Sequence, residues 1–163
     1  MQYHPVVEKI KSLLKENSVE FETFEHEAVR TSEEAAKTRI GYTLEQGAKA
    51  IIVRVKEPGK GKRFAMFVLP AHKKFSTVKI KNNIGLVDIR FATPEEVSEI
   101  TGGILPGGVP PFGNLFNLEV FVDNTLFDNK KIVFNAGDRS YSIGMNSEDY
   151  RKIVTPKVED IAE

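Results

Sequence analysis

Apolar positions follow two different periods along this chain, one typical of helices and one typical of strands. Apolar residues from Val6 to Leu14 recur at helical spacing, with lysines and glutamates between them. This pattern predicts an amphipathic helix that ends near Asn17. Val19 and Phe21 alternate with polar residues immediately afterwards, which predicts a short strand.

Capping residues predict where the remaining helices begin and end. The strongest start is at Thr93, because a proline follows it at the first helical position and two glutamates fall in the first turn. Short polar residues before helical stretches and glycines after them mark the other boundaries. The starts are Thr31 or Ser32, Ser76 or Thr77, Thr93 and Ser147, and the ends are Gly41 and Gly85.

Apolar runs bounded by turn residues predict the strands. Residues 48–55 and 63–70 are separated by a segment with two glycines and a proline, which indicates a hairpin. Further strands are expected within four segments, 86–92, 118–123, 131–136 and 140–145. Residues 155–163 are expected to form a surface tail.

The order of these elements predicts the fold class. Tight turns join several neighbouring strands, so those strands must be antiparallel. Helices and strands alternate irregularly, without an internal repeat or a domain boundary, and 163 residues suit one domain. We therefore expect residues 1–163 to form a single α/β (α+β) domain, in which helices pack on a mixed, mostly antiparallel sheet. A doubly wound Rossmann fold is not expected.

Composition excludes several classes of site. The chain has no cysteine, so it has neither disulfides nor thiolate ligands. Its three histidines are scattered without metal-ligand spacing, and we expect no metal and no other cofactor. The formal net charge is zero, which argues against non-specific duplex binding. No apolar run has the length of a signal peptide or a membrane span, so we expect a cytoplasmic protein without membrane association.

The stretch TGGILPGGVPPFGN, residues 101–114, holds five glycines and three prolines. A linker has such a composition, but only about fifty residues follow, which is little for an independent core. Structural turns explain many such clusters. A stiff loop with paired glycines also presents backbone N–H groups to an anion or to a developing oxyanion. The loop matches neither the Walker nor the dinucleotide-binding pattern.

Three other residues are candidates for the site. Lys49 stands among small residues at the start of an apolar strand, which leaves room for a ligand beside its charge, although an edge lysine in water is the commoner case. Asn135 precedes an Ala-Gly-Asp turn and could point its amide at a neighbouring loop or ligand. His26 follows a strand and could titrate near neutral pH, but a histidine there is more often structural.

These pieces, in this order, resemble the YbaK / prolyl-tRNA synthetase editing-domain family of aminoacyl-tRNA deacylases. EQGAKAIIVR resembles the family strand that carries a lysine, here Lys49, and TGGILPGGVPPFG resembles its glycine-rich loop. The family G-x-x-x-P pattern falls on Gly107 through Pro111. HEAV, QGAKA, PPFG and FNAG are most similar to the free-standing subgroup that clears Ser- and Thr-charged tRNA. Four residues, not the three expected, separate Gly102 from Gly107.

The resemblance implies hydrolysis of the ester between an amino acid and the terminal ribose of tRNA. The subgroup's pattern favours serine or threonine, with alanine and cysteine as alternatives. Lys49 would hold a phosphate or the terminal adenosine, and water would be the nucleophile, helped by the free ribose hydroxyl. The implied oxyanion donors are the backbone N–H groups of Gly107, Gly108 and Val109. The implied substrate contacts are His26, Pro110, Pro111, Phe112, Asn135 and Gly137. Expected pocket walls are Val109, Phe112, Ile51 and Val53, of which the two strand residues are more simply ordinary core.

The expected partner is the aminoacylated 3′ end of tRNA, with an aminoacyl-tRNA synthetase as a possible second partner. A single-stranded end can be gripped by one loop and one lysine, which agrees with zero net charge. The alternative is a binding module that holds a tRNA end or a nucleotide without hydrolysing it. A metal hydrolase is the least favoured interpretation because the sequence has no ligand cluster.

Overall fold

The computed structural model describes residues 2–28, 32–39 and 41–163, and it is an α+β fold with two sheets and flanking helices. The predicted mixed, mostly antiparallel architecture is confirmed, although the strands divide between two sheets. The helices are α1 Val6–Glu16, α2 Ser32–Thr38, α3 Thr77–Ile84, α4 Pro94–Thr101 and α5 Ser147–Val154. The strands are β1 Phe21–Glu25, β2 Ala48–Glu57, β3 Gly61–Pro70, β4 Asp88–Phe91, β5 Glu119–Asp123, β6 Lys131–Asp138, β7 Tyr141–Asn146 and β8 Lys157–Glu159.

The smaller sheet has the strand order β1-β7-β6 and is entirely antiparallel. The larger sheet has the order β4-β2-β3-β5-β8, in which β5 runs parallel to both β3 and β8. A parallel bridge between Gly47 and Val133 joins the two sheets at the start of β2. This junction brings the predicted lysine strand close to the Asn135 strand.

Two apolar cores lie on the opposite faces of β2 and β3. The first contains Ile10, Ile52 and Phe134, and it packs α1 against β6 and β7. The second contains Val53, Phe67 and Ile80, and it lies beneath α3. Because successive strand residues face opposite sides, neighbouring residues of β2 enter different cores.

Helix caps confirm most of the predicted boundaries. Ser76 caps α3, and Gly85 closes it in the left-handed conformation. Thr93 caps α4 in a reciprocal capping box with Glu96. At α5 the prediction is wrong by one residue, because the Asn146 side chain accepts from the first-turn amides while Ser147 is already helical. The predicted cap of α2 at Thr31 or Ser32 lies outside the described residues and side chains.

The expected surface tail at residues 155–163 is wrong. Lys157–Glu159 forms β8 at the edge of the larger sheet, and Ile161 and Ala162 are buried in the second core. The Asp123 carboxylate accepts hydrogen bonds from the backbone N–H groups of Ile161 and Ala162, at 3.0 Å and 2.9 Å. A buried carboxylate therefore fixes the end of the chain.

Asp123→Ala is expected to destabilise the fold by about 3 kcal/mol, because it removes a buried acceptor from several donors. Burial alone raises the pKa of Asp123, but hydrogen bonds from Thr125, Ile161 and Ala162 together hold it below its ordinary value. The stability from this carboxylate is therefore present above its unfolded pKa, about 3.9, and is lost as pH falls through the lower folded pKa. Urea unfolding from pH 7 to pH 2 measures both effects.

The control for this prediction is Asp128→Ala, which removes an exposed carboxylate from the neighbouring turn. This variant is expected to stay within about 0.5 kcal/mol of the wild-type protein. An Asp123→Ala protein as stable as the control would contradict the role assigned to Asp123.

Candidate active site

The glycine-rich segment between α4 and β5 has two parts with different roles. Gly102 and Gly103 both have positive φ, and their N–H groups both donate to the Ser98 carbonyl, so they end α4. Gly107 is exposed, with a φ of +90°, and begins the second part. The linker interpretation is excluded because the segment from Gly108 to Gly113 is buried within the fold.

Side chains and backbone of the β6–β7 hairpin hold the second part of the loop. Asn135 Nδ2 donates to the Gly107 carbonyl at 2.7 Å, and the Gly137 N–H donates to the Gly108 carbonyl at 2.8 Å. The Arg139 guanidinium donates to the Pro106 carbonyl. With three successive carbonyls engaged, the loop is fixed before any ligand arrives.

Of the three backbone N–H groups predicted as oxyanion donors, one already donates a hydrogen bond within the loop and two do not. The Gly108 N–H donates to the Leu105 carbonyl at 2.9 Å and closes a turn, so this predicted oxyanion donor is already engaged. The amides of Gly107 and Val109 donate to no residue in the described part of the chain. Of the three predicted oxyanion donors, the N–H groups of Gly107 and Val109 are therefore the two without a described acceptor.

A chain of hydrogen bonds runs from the loop to His26. Asn135 Oδ1 accepts from Arg39 Nη2 at 2.8 Å, and Arg39 Nε donates to Ser142 Oγ at 3.0 Å. His26 Nε2 lies 2.9 Å from the same Ser142 oxygen. His26 Nδ1 lies 2.9 Å from the Glu27 carbonyl, which can only accept, so Nδ1 carries a proton. The structure thus places His26, Asn135 and Gly107 in one network.

Arg39 is the central residue of this network, and sequence reasoning missed it. Its side chain lies just after α2 and is 7% exposed. Burial lowers the pKa of Arg39 to about 10. Ser142, fully buried in β7, was also missed because a serine in a strand carries no signal of its own. The sequence gives one indication of Arg39, which is its position two residues before Gly41, the predicted end of a helix.

Lys49 does not join this network. It is half-buried, and its Nζ donates to the Lys73 carbonyl at 2.8 Å. Its side chain lines an open pocket of about 650 Å³ together with Ile51, Phe75 and Phe91. Burial lowers the pKa of Lys49, Glu33 opposes this shift, and Lys74 adds to it. No described hydrogen bond connects Lys49 to the glycine-rich loop.

Two elements, Gly47 and α2, connect the hydrogen-bond network around Arg39 with Lys49. A Cβ added at Gly47 would lie 3.8 Å from Arg39 Nη1 and 2.9 Å from Ala71 Cβ, so only glycine fits there without a shift. Glu33, in the first turn of α2, acts electrostatically on Lys49, and Arg39 follows the last turn. Arg39 therefore lies close to the strand that carries Lys49.

The remaining predicted site residues have structural contacts. Phe112 is fully buried against the rings of Phe134 and Tyr150, and Val109 is in the same core. The Pro111 carbonyl accepts from Tyr150 Oη at 2.7 Å, and Pro110 is buried beside it. These residues support the loop from behind. Of the expected walls, Val53 is fully buried in the second core, while half-buried Ile51 lines the Lys49 pocket.

Gly137 supports the loop as well. It lies at an irregularity in β6 with a φ of +113°, and its backbone packs against Val6 of α1. Among residues 2–28, 32–39 and 41–163, no three potential metal-ligating carboxylates or imidazoles cluster together. Across the same residues, no helix is both long and apolar enough to cross a membrane.

Comparisons with known proteins agree on one family. A family model described as an aminoacyl-tRNA editing domain matches residues 26–153. The chain is 32% identical to the multifunctional Ser/Thr-tRNA deacylase ProXp-y of Escherichia coli (strain K12), over 93% of this chain and 89% of that protein. It is 26% identical to the proline–tRNA ligase of Ralstonia pickettii (strain 12J), a match that covers 83% of this chain and 23% of the ligase.

Solved structures show the same fold. A protein proposed to be a trans-editing enzyme for prolyl tRNA synthetase superposes with a TM-score of 0.79 at 24% identity, over 99% of each chain. At that identity the likeness establishes the fold, and the family follows from the sequence matches. The predicted resemblance is confirmed, and the chain belongs to the aminoacyl-tRNA editing domain family.

Proposed function

We propose that this aminoacyl-tRNA deacylase is a free-standing trans-editing enzyme that hydrolyses the ester of Ser- or Thr-charged tRNA. The observation that carries the proposal is the 32% identity to a Ser/Thr-tRNA deacylase, which extends over almost the full length of both proteins. The match to a proline–tRNA ligase covers 23% of that enzyme, so a region related to this chain also occurs within a ligase.

The glycine-rich loop supplies the electrostatic part of the mechanism. Hydrolysis begins when water adds to the ester carbonyl, and negative charge develops on the carbonyl oxygen. The amides of Gly107 and Val109 are the donors proposed for that oxygen, and one such donor contributes about 3 kcal/mol to transition-state stabilisation. Because Asn135, Gly137 and Arg139 already hold the loop, little reorganisation accompanies the reaction.

Lys49 is proposed to position the substrate. It holds a phosphate or the terminal adenosine, so that the ester lies against the glycine-rich loop. Its ammonium contacts a backbone carbonyl in the free protein and can exchange that contact for a phosphate oxygen. The free ribose hydroxyl of the substrate helps to activate the water. The carbon–oxygen bond to the ribose then breaks, the ribose oxygen takes a proton, and the amino acid leaves as its carboxylate.

Editing by a separate hydrolase has a physical reason. A synthetase pocket gains only about 1–3 kcal/mol from one methylene group, and an apolar pocket rejects an added hydroxyl poorly. A second enzyme that accepts the wrong amino acid completes the discrimination. With zero net charge, the protein lacks a general attraction for RNA, so a synthetase in the cytoplasm is the proposed source of charged tRNA.

A panel of charged tRNAs tests the proposal. Ser-, Thr-, Ala-, Cys- and Pro-tRNA are each incubated with the purified protein in excess chelator. We expect Ser- and Thr-tRNA to lose their amino acid fastest, with Pro-tRNA intact. Preferential loss of Ala or Cys would overturn the proposed specificity, and a requirement for added metal would overturn the proposed mechanism.

A further inference from the structure

We propose that Arg39 forms an anion site that binds the phosphate group of the 3′-terminal nucleotide of tRNA. The inference deepens the proposed function and rests on it for the identity of the ligand. It starts from a cation that the fold buries without a countercharge.

The surroundings of Arg39 are polar but neutral. Its side chain is 7% exposed, and its two described hydrogen-bond acceptors are the Ser142 hydroxyl and the Asn135 carbonyl oxygen. No carboxylate in the described part of the chain forms an ion pair with it. Burying a charge without a partner is costly, and folded proteins rarely tolerate it without a function.

Arg63, another arginine of this protein, forms ion pairs with carboxylates and serves as a comparison for Arg39. It lies near the outer end of the β2–β3 hairpin and contacts two carboxylates, Glu57 at 2.8 Å and Glu119 at 3.2 Å. Arg63 is more exposed than Arg39, yet it has the countercharges that Arg39 lacks. This contrast indicates that the Arg39 guanidinium binds an anion that is not part of the protein.

The geometry of the guanidinium fits a phosphate. Nε and Nη2 are turned toward Ser142 and Asn135, which fixes the plane of the group. Nη1 donates to no described residue and lies beside Gly47, where a Cβ would come 3.8 Å from it. A planar, permanently charged group held in advance suits phosphate oxygens better than a mobile ammonium does.

The position of Arg39 suits the terminal phosphate. Through Asn135 it is connected to the Gly107 carbonyl, and through the neighbourhood of Gly47 it lies near the strand of Lys49. A phosphate at Arg39 would therefore lie beside a residue that is hydrogen-bonded to the loop, and close to the start of the strand that carries Lys49. A local cation is also what a chain of zero net charge needs to grip an RNA end.

An unpaired buried charge makes a prediction about stability that a structural role would not make. In Arg39→Met the charge is removed while much of the side-chain volume remains. The Ser142 hydroxyl lies 3.2 Å from Asn135 Oδ1 and 2.9 Å from His26 Nε2, so it can donate its one proton to either of them once the guanidinium is gone. We expect the melting temperature of Arg39→Met to equal or exceed that of the wild-type protein.

Binding of adenosine 5′-monophosphate and of adenosine, each followed by NMR titration, tests the proposal directly. The expected result is that Arg39→Met binds the monophosphate at least about tenfold more weakly than the wild-type protein, with adenosine affinity unchanged. Arg39→Lys is expected to recover part of the difference, since it restores the charge without the fork. Arg63→Met is the matched control and is expected to leave both affinities unchanged.

Two results would overturn the proposal. One is an Arg39→Met protein that binds the monophosphate as tightly as the wild-type protein does. The other is loss of binding together with a lowered melting temperature, which is the signature of a structural arginine. The proposed function fails separately: wild-type protein that leaves charged tRNA intact, while its monophosphate binding depends on Arg39, would contradict the deacylase proposal and keep the anion site.

Discussion

Lys49→Ala is expected to reduce the rate of Ser- or Thr-tRNA deacylation by about 100-fold or more, with the melting temperature little changed. The substitution removes a half-buried ammonium proposed to contact a phosphate or the terminal adenosine, and losing a positioned charge contact costs several kcal/mol. Its one described side-chain hydrogen bond in the free protein is to a backbone carbonyl, so little of the fold depends on it. Single-turnover release of radiolabelled serine measures the effect.

The matched control is Lys56→Ala, an exposed lysine farther along the same strand, which is expected to leave the rate unchanged. The pH dependence gives a second check. Burial lowers the pKa of Lys49, so the enzymatic rate is expected to fall at alkaline pH at a lower value than for an exposed lysine. Equal rates for the two alanine variants would contradict the role of Lys49.

Gly137→Ala is expected to destabilise the protein by about 2–5 kcal/mol, the largest stability effect of any substitution considered. The added Cβ would overlap Val6 Cγ1 of α1, and the residue has a φ of +113°, which a side chain disfavours. Because the Gly137 N–H donates to the Gly108 carbonyl, the same change is expected to move the loop and lower the deacylation rate. Urea denaturation and single-turnover rates measure the two effects.

Gly59→Ala is the control that separates the cost of a positive φ from the cost of steric overlap with a neighbouring side chain. Gly59 also has a positive φ, at +79°, but an added Cβ there would meet nothing within 4 Å. We expect it to cost about 1–2 kcal/mol and to leave the rate unchanged. If both alanine variants had the same stability and rate, the contact between Gly137 and α1 would not hold the loop in place.

Elements with strong local signals could be predicted from the sequence. Thr93, Pro94 and Glu96 specify the start of α4 through one reciprocal set of contacts, all within four residues. The β2–β3 hairpin follows similarly from two β-rich runs and a glycine-containing turn. In each case the residues whose contacts determine the element are close together in the sequence.

The missed features depend on residues far apart in the chain. Arg39 meets Asn135 and Ser142 only because β6 and β7 fold back beside the end of α2, about a hundred positions later. The buried C-terminal residues Ile161 and Ala162 are held by Asp123, nearly forty residues earlier. A short stretch such as 155–163 carries too few apolar residues to reveal this contact.

The glycine-rich loop was identified correctly as a feature of one fold, but the roles of its residues were not separable in the sequence. The sequence could not show that the Gly108 amide closes a turn while the Gly107 and Val109 amides stay unengaged. It also could not show that Phe112 packs into the core instead of facing a pocket. Both outcomes follow from backbone geometry, which composition does not encode.

Release of serine from Ser-tRNA by excess purified protein, followed in chelator and in a single turnover, decides whether this protein is a deacylase. We expect first-order release far faster than spontaneous hydrolysis, and a rate close to the spontaneous one with Lys49→Ala. Protein that binds Ser-tRNA but leaves its ester intact would contradict the deacylase function and would show that this fold binds the tRNA end without hydrolysing it.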